Sequence, residues 1–318
     1  MENEAFQSND IDKIVNKARR KSVIRNIIIS TFSLIVVGAL FLFINGQVVS
    51  KAHLKAADTN RLLYEISHPN VQIGGGEVDY DIFSGSYTYN QFKIIENRII
   101  PWGLELRSFN GIGHNNKSSA IAVYDEIRVG ENEDELRRYN TTNGQRVMDF
   151  YHPWLDYLAV HYDLDLIQDA PSDAVMEVAI SFDQPYTTNE IQEIFKLNNK
   201  ITWFWVNEYK QNDKKHLEGL HSSGTSASKV YGFNVETLRG EGDIVIQDEK
   251  DFLVILEELK STGNYDFMID PLLESTKQNM NEGLIVGAVI TGTKDELLKL
   301  KEEKHIRAIS LGAVVRNY

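Results

Sequence analysis

The stretch IIISTFSLIVVGALFLFI, residues 27–44, decides the architecture of this chain. It contains 18 consecutive residues without a charge. As an α-helix it would be about 27 Å long, which is close to the thickness of the hydrocarbon core of a bilayer. Its polar side chains, Ser30, Thr31 and Ser33, are hydroxyls that can bond back to helix carbonyls. The stretch therefore predicts a transmembrane helix over residues 26–45.

Two other interpretations of this stretch stay open at the level of sequence. It could be a buried core helix, although no other segment of the chain is so uniformly apolar. It could also be a cleaved signal peptide, since Ser50-Lys51-Ala52 loosely fits a cleavage site. Against cleavage, the apolar run is longer than a usual signal core, and the 25 residues before it contain four acids. We favour an uncleaved anchor.

Basic residues cluster directly before the apolar run, at Lys17, Arg19, Arg20 and Lys21, whereas Lys51 alone lies close after it. Basic residues are retained on the cytoplasmic side of a membrane helix. The bias predicts a cytoplasmic N-terminus and places residues 50–318 on the outside. This position makes the cluster a topology determinant rather than a nuclear signal or a nucleic-acid patch.

The composition limits the classes of protein to which the chain can belong. Of its 318 residues 42% are hydrophobic, which excludes a mostly disordered chain. Cysteine is absent, so disulfides, cysteine-ligated zinc and thiol catalysis are excluded. The formal net charge is −13, and an acidic excess repels DNA and RNA. We predict no direct contact with nucleic acid.

The region after the span divides into three predicted parts. Residues 46–70 have the composition of a stalk helix, which His68-Pro69-Asn70 should end. Residues 71–170 are predicted to form a β-rich domain, with turns at glycine positions such as Gly74-Gly75-Gly76 and a more helical stretch over 131–170. Turn residues at 169–173 mark the boundary to a C-terminal domain over 174–318.

An internal repeat predicts the fold of the C-terminal domain. Each copy has an alternating strand, a helix opened by a capping box, and a second strand. The capping boxes pair Thr187 with Glu190 and Thr293 with Glu296, which places the two copies 106 residues apart. Two β-α-β units predict a ferredoxin-like sheet with helices on one face, and the spacer adds strands at 229–235 and 243–247 and a helix at 249–261. The overall prediction is an α+β fold with a single N-terminal transmembrane helix.

No motif in the sequence specifies an enzyme, a cofactor or a metal site. The histidines are scattered, and no serine nucleophile motif or phosphate loop is present. The run His161-Tyr162-Asp163 has possible metal ligands but lies in a packing segment, so we predict a structural role. The stripe Trp203-Phe204-Trp205 could bind a ligand, although alternation inside a strand favours a core position.

The N-terminal segment 1–25 has an apolar stripe at helical spacing. Ile11, Ile14, Val15 and Ala18 fall at i, i+3, i+4 and i+7, and Phe6 is a candidate extension of this stripe. These five are the predicted partner-binding residues. A segment of this length cannot bury a core by itself, so the stripe should contact a membrane surface, a second copy or a cytoplasmic partner.

Four sequence blocks resemble the paired sigma factor regulator N-terminal and C-terminal families. DKIVNKARRKS at residues 12–22, followed by the span, resembles the N-terminal family. The blocks FYHP (150–153), VMEVAISFDQPYT with ITWFWV (175–187 and 201–206) and YGF (231–233) resemble the C-terminal family. These families form membrane-anchored anti-sigma factors and supply no catalytic residues.

The resemblance implies that the tail helps to keep an extracytoplasmic-function sigma factor inactive while the outer region responds to envelope conditions. The tail is short, which leaves open whether it binds the sigma factor alone or through a second membrane regulator. Two alternatives also stay open: an extracytoplasmic binding or scaffold protein whose tail is only an anchor, and, less favoured, an envelope hydrolase.

Overall fold

One helix of 64 residues, α1 (Glu2–Glu65), forms the N-terminal fifth of the protein. The computed structural model describes residues 2–112, 120–122, 126–194, 201–235, 249–263 and 265–316, with the backbone alone at 2–11, 120–122 and 192. At 1.5 Å per residue, α1 is about 96 Å long. The predicted tail, span and stalk are thus segments of a single uninterrupted helix. The helix ends as predicted before Pro69, where His68 has a left-handed φ of 58°.

An antiparallel sheet follows α1 and packs on its second half. Its strands, in spatial as well as sequence order, are β1 (Val71–Tyr80), β2 (Ser84–Ile95), β3 (Arg98–Asn110) and β4 (Ala120–Ala122). The triple glycine lies within β1 instead of forming the predicted turn. Gly75 has a φ of 54°, and the register shifts by one residue between Gly74 and Gly76, which is a β-bulge.

Short strands and a single short helix fill the segment between the two large sheets. They are β5 (Glu126–Val129), β6 (Arg137–Asn140), β7 (Arg146–Val147), β8 (Asp149–Phe150), β9 (Asp156–Tyr157) and α2 (Leu164–Asp169). The prediction of a more helical stretch over 131–170 was therefore wrong except at α2. Local turns and pairings across the sheet, such as β6 with β7, override the helix propensity here.

The C-terminal region contains a five-stranded sheet with an insertion. In chain order its elements are β10 (Val175–Tyr186), α3 (Thr188–Ile194), β11 (Ile201–Val206), α4 (Lys214–Leu217), β12 (His221–Ser222), β13 (Thr225–Ser226), β14 (Gly232–Asn234), α5 (Glu249–Ser261), α6 (Asp266–Asn279), β15 (Ile285–Thr293), α7 (Lys294–Leu297) and β16 (Ile306–Val315). The spatial order of the strands is β14-β11-β15-β10-β16, and every neighbouring pair is antiparallel.

The two faces of the five-stranded sheet have different covers. Alternate residues of β10, such as Met176, Val178 and Ile180, pack under helices α2, α3, α5, α6 and α7. The opposite face, with Trp203 and Trp205, packs against residues of β2, β3, β7 and β8. The protein is thus a mixed α+β fold with one long apolar N-terminal helix and a mostly β C-terminal region.

Several predicted elements of the spacer can be compared with the structure. The helix at 249–261 is α5, and the strand predicted at 229–235 is the shorter β14. The strand predicted at 243–247 lies outside the described residues. Helix α6 was not predicted, because Pro271 lies inside it and a proline in a helical pattern indicates a break.

Both predicted capping boxes are present. The backbone N–H of Thr187 donates to Glu190 Oε2 at 2.7 Å, and the N–H of Glu190 donates back to Thr187 Oγ1 at 3.3 Å. Thr293 N–H donates to Glu296 Oε2 at 2.8 Å in the second box. The helix residues that follow at the same offset, Ile191 and Leu297, are both buried.

Removal of either cap should destabilise the C-terminal region by a similar amount. We expect Thr187→Ala and Thr293→Ala each to lower the free energy of unfolding by about 1 kcal/mol, because each removes the side-chain acceptor at a helix N-terminus. Chemical unfolding of the full chain in detergent measures this. Thr142→Ala, at an exposed turn, is the control and should change stability by less than about 0.5 kcal/mol. Unequal effects, with one variant at the level of the control, would contradict the equivalence of the two caps.

Candidate functional site

The tail end of α1 exposes the apolar stripe that the sequence predicted. The side chain of Ile14 is 67% exposed and that of Val15 is 43% exposed. Ala18 is also exposed. Phe6 and Ile11 lie on the same helix, outside the part whose side chains the structure describes. Exposed aliphatic side chains on one helix face are available to a partner or a membrane surface.

The basic cluster and the apolar run follow on the same helix. Lys17, Arg19, Arg20 and Lys21 are all exposed. Beyond them, every side chain from Ile27 to Ile44 is exposed, and burial begins only at Asn45. An apolar helix segment of this length whose side chains are all exposed fits a single-pass membrane protein.

The C-terminal half of α1 is built into the cores of both sheets. Val49 and Ala52 pack with Tyr87 of β2 and Phe109 of β3. Near the helix end, three aliphatic side chains belong to the core under the five-stranded sheet: Leu62, Leu63 and Ile66. Each such buried side chain contributes roughly 1.5–3 kcal/mol. The end of α1 is therefore a structural part of the region formed by the two sheets.

A buried polar cluster joins the end of α1 to the first sheet. The hydroxyl of Tyr64 donates to Glu105 Oε2, and Arg107 Nε donates to Glu105 Oε1. The side-chain amide of Gln91 donates to the Tyr64 hydroxyl. Burial raises the pKa of Glu105, against the opposing charge and hydrogen bond of Arg107. The hydrogen bonds among these buried groups can form only while α1, β2 and β3 keep their relative positions.

A buried ion pair joins the first sheet to the five-stranded sheet. Lys93 Nζ of β2 lies 2.6 Å from Glu177 Oε1 of β10, and both side chains are almost completely buried. The ammonium also lies 4.0 Å from the ring centroid of Trp102. The Glu177 carboxylate also accepts hydrogen bonds from the side-chain amide of Asn70 at 3.1 Å and from the backbone N–H of Ala313 at 3.3 Å. A buried pair with all partners present tolerates little displacement.

These two clusters meet around His68, which follows the helix end. The His68 ring stacks on Tyr64 with a centroid distance of 4.6 Å. Its pKa is lowered to about 4, because burial penalises the charged imidazolium and the charges of Arg107 and Lys93 repel it. We call the set of Tyr64, His68, Lys93, Glu105 and Glu177, with their direct partners, the helix junction.

The helix junction should weaken on acidification. The neutral His68 gives a contribution to folding stability that is complete above its unfolded pKa of 6.5 and is lost as pH falls toward its folded pKa of about 4. His152 has the same low pKa and acts in the same direction. Between pH 6.5 and about pH 4 we expect the parent to lose about 1–3 kcal/mol more folding stability than the His68→Gln variant. Thermal unfolding of the full chain in detergent at a series of pH values measures the difference. The exposed His221, replaced by Gln, is the control, and an acid dependence unchanged by His68→Gln would refute the assignment.

A cleft of about 850 Å³ lies beside the helix junction, between α1 and β1. It is lined by Asp58, Arg61 and Glu65 of α1 and by the bulge of β1 at Gly74–Gly76. Tyr64 and Asn70 line it as well. A molecule in this cleft would therefore contact the end of α1 directly.

The two sequence runs that could have bound a ligand or a metal are residues 203–205 and 161–163, and all their side chains except that of Tyr162 lie in the packed and hydrogen-bonded interior. Trp203, Phe204 and Trp205 are buried in the core, as the alternation predicted. Asp163 forms an ion pair with Arg137 at 2.8 Å and accepts from the N–H of Leu311 at 2.9 Å. Among the described residues no group of histidine and acidic side chains could hold a metal ion.

Sequence reasoning did not identify the helix junction. Its five named members come from α1, from the turn after it and from three strands, and Lys93 and Glu177 are 84 residues apart. One signal was present: Glu177 interrupts the apolar strand VMEVAIS, and a charge in a buried strand requires a partner. The sequence does not identify that partner, because many lysines and arginines are available.

Comparison with known families matches two parts of the chain. Residues 12–100 match the sigma factor regulator N-terminal model, and residues 167–313 match the sigma factor regulator C-terminal model. No curated protein and no solved structure matches significantly. The two matches support an anti-sigma factor role and imply interaction with a sigma factor. The N-terminal match includes the basic cluster, the apolar run and β1 to β2, and the C-terminal match includes the five-stranded sheet. The chain therefore has the sigma factor regulator N-terminal and C-terminal domains, which together are the anti-sigma factor architecture.

Proposed function

We propose that this protein is a single-pass membrane anti-sigma factor whose cytoplasmic tail holds an extracytoplasmic-function sigma factor inactive. The observation that carries the proposal is the continuity of α1, which has the exposed tail at one end and the helix junction at the other. A continuous helix transmits a shift or a rotation along its length, so both ends respond to one movement.

The tail is the proposed sigma-binding element. Ile14 and Val15 are exposed, and their side chains would lose water contact on binding an apolar groove. By helical spacing Ile11 and Ala18 fall on the same face, and Phe6 is the further apolar residue proposed to take part. The two matched domains support the interaction with a sigma factor, and the helical stripe supports the tail as its location.

The outer region is the proposed sensor of envelope conditions. Displacement of either sheet would break the packing of Leu62, Leu63 and Ile66 or the polar contacts of Tyr64. The cleft beside α1 offers a place where a bound molecule would produce such a displacement. A change there would alter the position of α1 and, through it, the presentation of the tail.

The domain division supports this assignment of roles. We propose a cytoplasmic tail at 1–25, a membrane span at 26–45, a stalk at 46–70, a β-rich domain at 71–170 and a regulator domain at 174–318. The last is proposed to be a ferredoxin-like duplication, with β10-α3-β11 and β15-α7-β16 as its halves. The strand order β16-β10-β15-β11 and the two matching capping boxes support the duplication. Helix α7, with four residues, is much shorter than a usual crossover helix.

The orientation across the membrane is the most direct test of this arrangement. A reporter enzyme that is active only outside the cytoplasm, fused after Tyr318, should be active, because the basic cluster retains the N-terminus inside. Reversal of the charges at Lys17, Arg19, Arg20 and Lys21 should yield mixed orientations. The matched control reverses the charge of Lys51 and should leave reporter activity unchanged. Activity confined to a cytoplasmic reporter at the same site would overturn the proposed topology.

A further inference from the structure

Two turns of the first sheet lie against α1 where its apolar run ends. The N–H of Phe83, in the turn between β1 and β2, donates to Asn45 Oδ1 at 2.7 Å. The Phe83 ring lies edge-on to that of Phe41, with a centroid distance of 5.6 Å. Phe41 belongs to the apolar run, and Asn45 directly follows it. The turn is therefore level with the outer edge of the predicted span.

The second turn, after β3, lies beside the first. The N–H of Gly111 donates to the carbonyl of Phe83 at 2.7 Å. A side chain at Gly111 would clash with Val48, because a Cβ there would lie 2.5 Å from Val48 Cγ1. The glycine allows the backbone to approach the helix closely, which brings Ile112 to the same level.

Large aliphatic side chains on these turns project away from the protein. Ile82 is 66% exposed and Ile112 is 61% exposed, although Tyr87 and Phe109, immediately behind them on the same sheet, are buried. Tyr80 is exposed on the same edge, but its hydroxyl lies 3.3 Å from His53 Nδ1, about two turns further along α1 than Asn45, so it is directed away from the apolar run. The exposed aliphatic groups thus lie next to a helix surface that is itself apolar and uncovered.

We propose that Ile82, Phe83 and Ile112 form a membrane tip that inserts into the boundary between headgroups and acyl chains on the stalk side of the bilayer. The proposal rests on α1 spanning a membrane and does not depend on the sigma factor. The proposed partner of this surface is lipid. The contact between the Phe83 and Phe41 rings makes the tip continuous with the apolar surface of the span, which lipid surrounds. The tip would be a second membrane contact that fixes the tilt of the first sheet against the bilayer.

The charges near the tip indicate an apolar contact rather than an electrostatic one. Asp79 and Asp81 flank Tyr80 and are exposed. Carboxylates at this level would be repelled by anionic headgroups. Insertion should therefore occur in zwitterionic lipid and should not deepen when anionic lipid is added.

The absence of cysteine from the chain permits a direct test with single labelled cysteines. Ile82→Cys and Ile112→Cys carry an environment-sensitive fluorophore in the full chain, reconstituted in phosphatidylcholine nanodiscs. Ile99→Cys is the matched control, because Ile99 is 68% exposed on the same sheet and lies about 37 Å along β3 from the tip. Quenching is measured with a nitroxide on the lipid acyl chain and with aqueous iodide.

The tip positions should be quenched several-fold more by the lipid nitroxide than Ile99→Cys and several-fold less by iodide. The same ratios should persist when part of the phosphatidylcholine is replaced by phosphatidylglycerol. Tip positions that respond like Ile99→Cys would overturn the proposal, and so would lipid quenching seen only with phosphatidylglycerol. Protection from both quenchers would also overturn it, since it would indicate that protein, such as a second copy, covers the tip.

Discussion

The double substitution Ile11→Asp and Ile14→Asp should release the sigma factor while the protein stays in the membrane. Each aliphatic side chain contributes roughly 1.5–3 kcal/mol when fully buried in a partner, so their combined loss should weaken binding at least a hundredfold. A buried carboxylate adds a further penalty. The apolar run and the basic cluster are unchanged, so membrane insertion should persist. The expected phenotype is a transcriptome that resembles that of a deletion strain.

A control substitution separates loss of binding from a general effect of charge on the tail. Asn16 lies about 200° around the helix from Ile14, so Asn16→Asp adds a charge to the opposite face and should leave transcription unchanged. Protein abundance in the membrane fraction is measured in the same cells. If the stripe serves only to lie on the membrane surface, the double variant keeps normal repression at normal abundance, and this result would contradict sigma binding by the tail.

The second large effect is expected at the buried ion pair of the helix junction. Glu177→Ala leaves the ammonium of Lys93 buried without its counter-ion, which should cost about 3–5 kcal/mol of folding stability. The double variant Lys93→Met with Glu177→Leu removes both charges and should recover most of this loss. Recovery should be incomplete, because Asn70 and the N–H of Ala313 lose their acceptor.

Equilibrium unfolding of the full chain in detergent distinguishes these outcomes. The surface pair Lys277–Glu257, at 2.8 Å but exposed, is the matched control, and Glu257→Ala should change stability far less than Glu177→Ala. The account of the junction would be wrong if Glu177→Ala behaved like Glu257→Ala. It would also be wrong if the double variant were no more stable than the single one, because the loss would then not arise from an unpaired buried charge.

The sequence predicted correctly those structural features that depend on interactions between residues close together in the chain. The proline after His68 and the two threonine caps each determine structure within a few residues, and α1 ends and α3 and α7 begin where predicted. The uncharged run at 27–44 is helical as predicted, although it lies inside the longer helix α1. The prediction failed where pairing across the chain overrides propensity. Between residues 131 and 163 the short strands β6, β8 and β9 pair with β5, β13 and β12, and β6 also pairs with β7, which composition does not reveal.

The candidate site divides in the same way. The tail stripe and the basic cluster are patterns within one helix, so helical spacing alone identifies their residues, and the structure shows Ile14, Val15 and the basic residues exposed. The helix junction depends on three-dimensional contacts between α1, β2, β3 and β10. Nothing local in Gln91 or Glu105 indicates that each meets Tyr64.

Co-purification from membranes tests the central claim most directly. The full chain is isolated from its native membranes after crosslinking, and bound proteins are identified by mass spectrometry, in parallel with the Ile11→Asp/Ile14→Asp variant at equal abundance. The account predicts an extracytoplasmic-function sigma factor with the parent chain and its loss, by at least tenfold, with the variant. A parent chain that recovers no sigma factor, or a sigma factor recovered equally with both chains, would contradict the claim that the tail of this regulator holds it.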